Sequence, residues 1–165
     1  MGSNLAPRRH FLASARDALL ALAGPQDDYR QAPLFQTEPV ACPPGSGPFL
    51  NTALELDFPR FSDPLALLRE LQGIERSLGR RPRAAVPHHA PRTIDIDFLY
   101  RADGAFAHPD LVLPHPRLHL RRFVLQPLAA IVPDRIPGGL DRAVATLLAE
   151  LPDVDEPLTI VAKAW

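Results

Sequence analysis

The sequence carries one cysteine, Cys42, in 165 residues. That excludes an internal disulfide, and without a Cys/His cluster beside it there is no thiolate zinc site, so a reducing compartment is consistent. Cys42 itself reads as an ordinary buried or surface residue rather than a nucleophile. An excess of one charge is also lacking: 18 basic residues face 19 acidic ones for a net charge of -1, with no long block of either. Such a balance provides no broad electrostatic footprint for nucleic acid or an anionic membrane, which leaves small molecules as the expected partners. No apolar run reaches the roughly 20 residues that span a bilayer. No basic, apolar and cleavable leader opens the chain, so a cytoplasmic protein is expected. What is abundant is proline, 20 residues, against an average of about 5%. The prolines lie between periodic segments rather than in one tract, which predicts stiff, ordered loops. With 46% hydrophobic residues, the length suits one domain over 1–165 with a single core, and a monomer is expected.

Local patterns predict the elements. Over 8–23, Phe11, Ala15, Leu19 and Leu22 recur at helical spacing, and Gly24-Pro25 closes the run. Residues 34–38 read as a short extended piece whose preceding Pro33 suits the start or edge of a strand. Over 49–58 the residues alternate, with Leu50, Leu54, Leu56 and Phe58 on one side and Phe49, Asn51 and Ala53 on the other, so a half-buried strand is predicted. Asp63 is a good N-cap, Pro64 a good first-turn residue, and Leu67, Leu68, Leu71, Ile74 and Leu78 form a stripe that Gly79 ends. A basic, proline-bearing loop over 80–91 then leads to a predicted strand over 93–100. Asp103-Gly104 is a plausible turn, and a short helix is expected near 118–126. A last helix carries Val144, Leu147, Leu148 and Leu151, and 158–161 suits a final strand. The order of elements points to an α+β fold, an antiparallel sheet covered by helices.

The segment Ile94-Asp-Ile-Asp97 is the most informative. In a strand, Asp95 and Asp97 project from one face roughly 6.5–7 Å apart, while Ile94 and Ile96 face a core. Two carboxylates so placed repel unless cations lie between them, and hard oxygen donors with room for water and phosphate suit Mg²⁺. Solvated strands often carry such pairs, so the pair alone is a weak signal. Arg92, three residues before Asp95, and Arg80, Arg81 and Arg83 in the preceding loop add guanidinium groups that favour phosphate as the third party. Phosphoryl-type transfer needs alignment and charge neutralisation more than covalent help, and this set can supply both. By residue type, Phe49 and Phe123 also suit an ordinary core, Asn51 a strand end, and His115 a structural position. His88 and His89, adjacent on a loop, have no further ligand at metal spacing.

The segment Ala90-Pro-Arg-Thr-Ile-Asp-Ile-Asp-Phe-Leu99 resembles the hallmark of the hydroxymethyldihydropterin pyrophosphokinases. Other pieces occur in the same order: Gly2-Ser-Asn-Leu5, Gln36-Thr-Glu-Pro39, Phe49-Leu-Asn51, Ile74-Glu75 with Gly79-Arg80, Leu113-Pro-His-Pro-Arg117, and Arg121-Arg-Phe-Val-Leu-Gln-Pro-Leu128. Together they span nearly the whole chain. The resemblance implies a ferredoxin-like α+β fold and transfer of diphosphate from ATP to 6-hydroxymethyl-7,8-dihydropterin, releasing AMP, in folate synthesis. It implies that Asp95 and Asp97 hold two Mg²⁺ ions, with Arg92 and Arg80 acting beside them. Arg80, Arg92, His115, Arg121, Gln72 and Glu75 fall at nucleotide-site positions. The pterin lies between Phe49 and Phe123, read by Asn51 and by backbone around Thr37, Pro39 and Val40, as stacking with a few polar groups selects a flat heterocycle. The hydroxyl then attacks the β-phosphorus in line, and the 80–91 loop is a candidate lid.

The chain departs from that pattern in places. Family members have an apolar strand directly before Gly-Ser-Asn, whereas Met1 directly precedes Gly2. The family's first strand is therefore expected to be missing, with a misassigned start codon as the favoured cause. Where some members carry a tryptophan before the Pro-Arg element, this chain has His89. The loop is also about two residues longer than in some relatives, so Arg81 and Arg83 receive no role. Two other readings remain open: a nucleotide- or pterin-binding regulator without activity, and a metal-dependent nucleotidyl or nuclease activity on the same acids.

Overall fold

The computed structural model describes residues 1–25, 29–39, 42–82, 90–152 and 158–165. Among the described residues, β1 (Gly2–Ser3), β3 (Leu34–Thr37), β4 (Phe49–Asn51) and β8 (Thr159–Ala162) form an antiparallel sheet in the order β1-β4-β3-β8. A ladder of β2 (Arg30–Gln31) with β5 (Leu54–Glu55) and a hairpin of β6 (Phe106–His108) with β7 (Leu111–Leu113) flank it. The helices are α1 (Arg8–Ala23), α2 (Pro64–Ser77), α3 (Arg122–Ala129) and α4 (Val144–Ala149), with a 3-10 turn at Leu118–Leu120 before α3. The α+β architecture with a helix-covered antiparallel sheet is the one expected. No helix among the described residues is long and apolar enough to cross a membrane.

Register sets what each face carries. Ser3, Leu50 and Gln36 lie opposite one another across β1, β4 and β3, and so do Gly2, Asn51 and Phe35. Since side chains alternate along a strand, these two rows face opposite sides. One side packs Leu34 and Leu50 against Leu12, Ala15 and Leu19 of α1, Leu67 and Leu71 of α2, and Ile94 and Ile96. The other packs Phe35 and Ala53 against Val124, Leu125 and Leu128 of α3 and Val144 and Leu147 of α4. The face of β4 that carries Asn51 is thus covered by helix over most of its length, and only its Phe49 end is left partly open.

Several expectations are corrected. The run over 49–58 is two short strands, β4 and β5, because Thr52 turns inward and its hydroxyl donates to the Ala32 carbonyl. β3 is an interior strand that Pro33 directly precedes, so of the two places that proline suits, the start of a strand is the one observed. The α1 stripe centres on Leu12, Ala15, Leu19 and Ala23, with Phe11 and Leu22 at its margins. β1 falls on Gly2–Ser3, within the Gly-Ser-Asn element itself.

The largest correction concerns 93–100, which forms no continuous ladder. Its strand pairing is a single bridge, Gly2 with Asp95, closed by Gly2 N–H to Asp95 C=O at 2.9 Å and Asp95 N–H to Gly2 C=O at 2.8 Å. Two-residue β1 can support no more on that edge. The burial alternation survives nonetheless: Ile94 and Ile96 are buried, Asp95 is half-buried and Asp97 exposed.

Candidate active site

The acids follow from that alternation. Ile94 and Ile96 are drawn into the α1/α2 core, so the residues between and after them turn to the other side. The two carboxylates nevertheless sit in different surroundings. Asp95 accepts from Arg92 Nη1 on Oδ2 at 2.6 Å and from Arg80 Nη1 on Oδ1. Asp97 is exposed and accepts no hydrogen bond from the described residues.

Each arginine is held from elsewhere. The Arg92 N–H donates to Asn4 Oδ1 at 2.8 Å, and Asn4 N–H donates to the Arg92 carbonyl at 3.2 Å, so the Gly2-Ser-Asn element anchors Arg92 through its backbone. Arg80 follows Gly79, whose φ of 82° ends α2. Gly79 N–H reaches the Arg76 carbonyl and Arg80 N–H the Glu75 carbonyl, both at 3.0 Å. This is the paired closure that a glycine in the left-handed region permits at a helix C-terminus. It folds Arg80 back over Glu75, and Arg80 Nη1 donates to Glu75 Oε1 at 2.8 Å. Burial works against the Arg80 cation, but Asp95 and Glu75 outweigh it and raise its pKa. The Glu75 carboxyl is pushed up to about 7, chiefly by burial, against the opposing pull of the Ile96 N–H and Arg80.

His115 and Arg121 approach from the other side. Burial lowers the His115 pKa, and Arg121 and Arg117 add to that while Asp97 and Asp95 oppose it. The ring is therefore neutral at pH 7. Its Nδ1 accepts from Arg117 N–H at 3.1 Å, which puts the proton on Nε2 as a donor. Burial, and then Arg117, hold the Arg121 pKa below the ordinary arginine value, while Asp97 and Asp95 pull it up. Arg80, Arg92, Arg117 and Arg121 thus outnumber Asp95, Asp97 and Glu75, a balance that suits a polyanion.

The two rings are joined to this cluster by the arginines. The Arg92 guanidinium lies over Phe49 at 5.9 Å from the ring centroid, and that of Arg121 over Phe123 at 5.3 Å. Phe123 is 38% exposed. On the strand face below, Asn51 is buried and its Nδ2 donates to Thr37 Oγ1 at 2.8 Å. Gly2 lies against it, since a Cβ there would come within 2.8 Å of Asn51 Oδ1.

Most of the expected residues therefore converge: Asp95, Asp97, Arg80, Arg92, Glu75, His115 and Arg121 form one charged cluster, with Phe49, Phe123, Asn51 and Thr37 beside it. Gln72 is exposed on α2 and joins none of these contacts, and Pro39 lies just beyond β3. Val40, Arg83, His88 and His89 lie outside the described residues, as does most of the loop expected to act as a lid. Sequence reasoning gave Asn4 and Gly2 no role. The signal was present in the Gly2-Ser-Asn motif, but a partner 88 residues away cannot be read from local spacing.

The donor set fits Mg²⁺. Its carboxylates supply hard oxygens, and Asp97, which takes no hydrogen bond from the described residues, can coordinate. No cluster of three or more His, Cys, Asp or Glu residues that could hold a metal occurs among the described residues. Coordination would thus be completed by phosphate and water oxygens, as is usual for Mg²⁺ on nucleotides.

Comparison with known proteins agrees with the motifs. A model of the 7,8-dihydro-6-hydroxymethylpterin-pyrophosphokinase family matches residues 1–133. A Pseudomonas aeruginosa protein named 2-amino-4-hydroxy-6-hydroxymethyldihydropteridine pyrophosphokinase is 36% identical over 154 residues, covering 92% of this chain and 89% of its own length. A protein of the same name from Methylorubrum extorquens is 37% identical over 145 residues, 84% of each chain. The Schizosaccharomyces pombe folic acid synthesis protein fol1 is 34% identical over 121 residues, which are 73% of this chain and 16% of that protein.

Proposed function

The chain belongs to the 7,8-dihydro-6-hydroxymethylpterin-pyrophosphokinase family, and on that premise we propose the reaction its site performs. It transfers diphosphate from ATP to the hydroxyl of 6-hydroxymethyl-7,8-dihydropterin in folate biosynthesis, releasing AMP. The observation that carries this reading is the junction of the two halves of the site. Arg92 holds Asp95 with one nitrogen while its guanidinium carbon lies 5.9 Å from the Phe49 ring centroid, so a charged cluster suited to phosphate abuts an aromatic and amide surface suited to a pterin.

In this reading the pterin lies between Phe49 and Phe123, with Asn51 and the backbone near Thr37, Pro39 and Val40 on its polar edge. Arg80, Arg92 and Arg121 donate to phosphate oxygens, and neutral His115 adds the Nε2–H. These groups hold the β-phosphorus in line with the pterin hydroxyl and offset the charge that builds in transit. Asp95 and Asp97 would hold two Mg²⁺ ions, which would supply charge stabilisation for the triphosphate. Gln72 is assigned to the nucleotide side. The protein works in the cytoplasm as a monomer, without nucleic acid or a membrane as partner. AMP release that depends on the pterin is the direct test. ATP consumption indifferent to the pterin would refute the reading, and binding of both ligands without AMP would favour a regulator.

A further inference from the structure

Asp95 and Asp97 can act only if their direction is fixed, yet the segment that carries them has little sheet around it. On the inner edge, the N–H and C=O of Asp95 are both spent on Gly2. In an extended chain the polar groups of the residues before and after point to the opposite edge. There Ile94 exposes a carbonyl and Ile96 an N–H, the pair that one residue of a parallel neighbour would engage, and no strand among the described residues lies there.

Two side chains fill that place. Ile96 N–H donates to Glu75 Oε1 at 2.7 Å, and Arg80 Nη1 donates to the Ile94 carbonyl at 2.9 Å. The carboxylate supplies the acceptor and the guanidinium the donor that a peptide unit would have presented. Both come from the end of α2, where the closure at Gly79 brings them within 2.8 Å of each other. The Glu75 side chain is only 12% exposed and that of Arg80 24%. A buried carboxylate is costly unless it is paired and hydrogen-bonded, and the Ile96 N–H with Arg80 offsets part of that cost.

We propose that Glu75 is a positioning residue: with Arg80 it stands in for a pairing strand along residues 94–96, and so fixes the direction of Asp95 and Asp97. This rests on the reading of those two acids as the groups that work on Mg-ATP. It replaces the nucleotide contact that resemblance implies for Glu75, because Oε1 is spent on the protein itself. Pinning the backbone on both edges holds each carboxylate within the few tenths of an ångström that productive geometry requires.

The test compares Glu75→Met, which keeps the volume and removes the acceptor, with Glu75→Gln, which keeps an acceptor carbonyl. Amide hydrogen exchange in the ligand-free protein is read residue by residue. In Glu75→Met the Ile96 amide is expected to exchange at least about tenfold faster while amides of α1 keep their protection, and Glu75→Gln restores most of it. In the steady state, Glu75→Met lowers kcat by about 10- to 100-fold, the usual cost of losing an orienting partner. The KM for ATP shifts less than about threefold, as expected when an interaction made only in the transition state is lost. Unchanged Ile96 exchange would overturn the proposal. So would uniformly faster exchange over all amides, or a loss carried by KM with kcat intact. Should Glu75→Met fail to fold, loss of Ile96 protection in folded Glu75→Gln would likewise overturn it. A parent protein without pterin-dependent AMP release would instead refute the reaction, and the exchange result would still decide the strand-substitute role.

Discussion

Replacing Asp95 and Asp97 one at a time by asparagine should cost activity alike and stability very differently. Asp95 has two guanidinium donors, and its side chain is 26% exposed. Hydrogen bonds to charged groups contribute about 1.5–3 kcal/mol each. In Asp95→Asn one oxygen still accepts, but the new amide N–H₂ meets an arginine donor, so a loss of about 2–4 kcal/mol is expected. For a domain of this size that lowers Tm by roughly 5–15 °C. Asp97 has no hydrogen-bond partner among the described residues. At about 7 Å and a solvent-like dielectric, each neighbouring charge contributes about 332/(80 × 7), or 0.6 kcal/mol. One repulsion, from Asp95, against two attractions, from Arg80 and Arg121, leaves a net of about 0.6 kcal/mol, so Tm of Asp97→Asn should stay within about 2 °C of the parent. Both variants lose metal-dependent charge stabilisation of several kcal/mol, hence about 10³-fold or more in turnover. Ligand-free thermal denaturation paired with an AMP-release assay checks both halves. Equal falls in Tm, or Asp97→Asn retaining more than a tenth of parental turnover, would refute this division of roles.

Three further outcomes are expected. The partly exposed ring of Phe123 contributes little to the core, so Phe123→Ala should leave the fold intact. It should weaken binding of a pterin analogue by roughly 10- to 100-fold, the worth of about 1–3 kcal/mol of stacking on a heterocycle, as read by calorimetry. Gly2→Ala would drive a Cβ into Asn51 Oδ1, costing about 1–3 kcal/mol of stability by overpacking and displacing the amide that reads the pterin; an unchanged melting curve and analogue affinity would contradict that contact. Glu75 has a folded-state pKa of about 7 against 4.5 in the unfolded chain. The folded state therefore binds more protons between those values, and this group's contribution to stability is fully present below pH 4.5 and lost as pH rises through 7. Glu75→Gln should flatten that slope by at most about 3 kcal/mol across the window, and urea melts at several pH values would reveal it.

The elements legible in advance were those whose signal is local. The bounds of α1 match the predicted 8–23 run, and Asp63 caps α2 as expected, accepting from Leu65 N–H at 2.9 Å. Spacing alone put Asp95 and Asp97 on the side away from Ile94 and Ile96. β5 fell within the strand predicted over 49–58, but β2, β6 and β7 went unpredicted because pieces of two or three residues carry too little alternation to register. The 93–100 run has strand-like residues, yet pairing depends on a neighbour, and β1 supplies a single bridge.

Sequence by itself thus determined which side chains would be sorted into the core, which helices would form, and which acids and arginines were available for phosphate chemistry. Burial periodicity, capping and motif order are properties of residues close together along the chain. Only the tertiary structure decided that Arg80 and Arg92 hold Asp95 while Asp97 takes no hydrogen bond from the described residues, that Asn4 anchors Arg92, and that Glu75 with Arg80 completes an edge where a strand would otherwise pair. Those arrangements depend on which backbone groups remain unsatisfied after packing, and apart from the local Arg92–Asp95 pair their partners, 14 to 88 residues apart, meet only once the chain has folded.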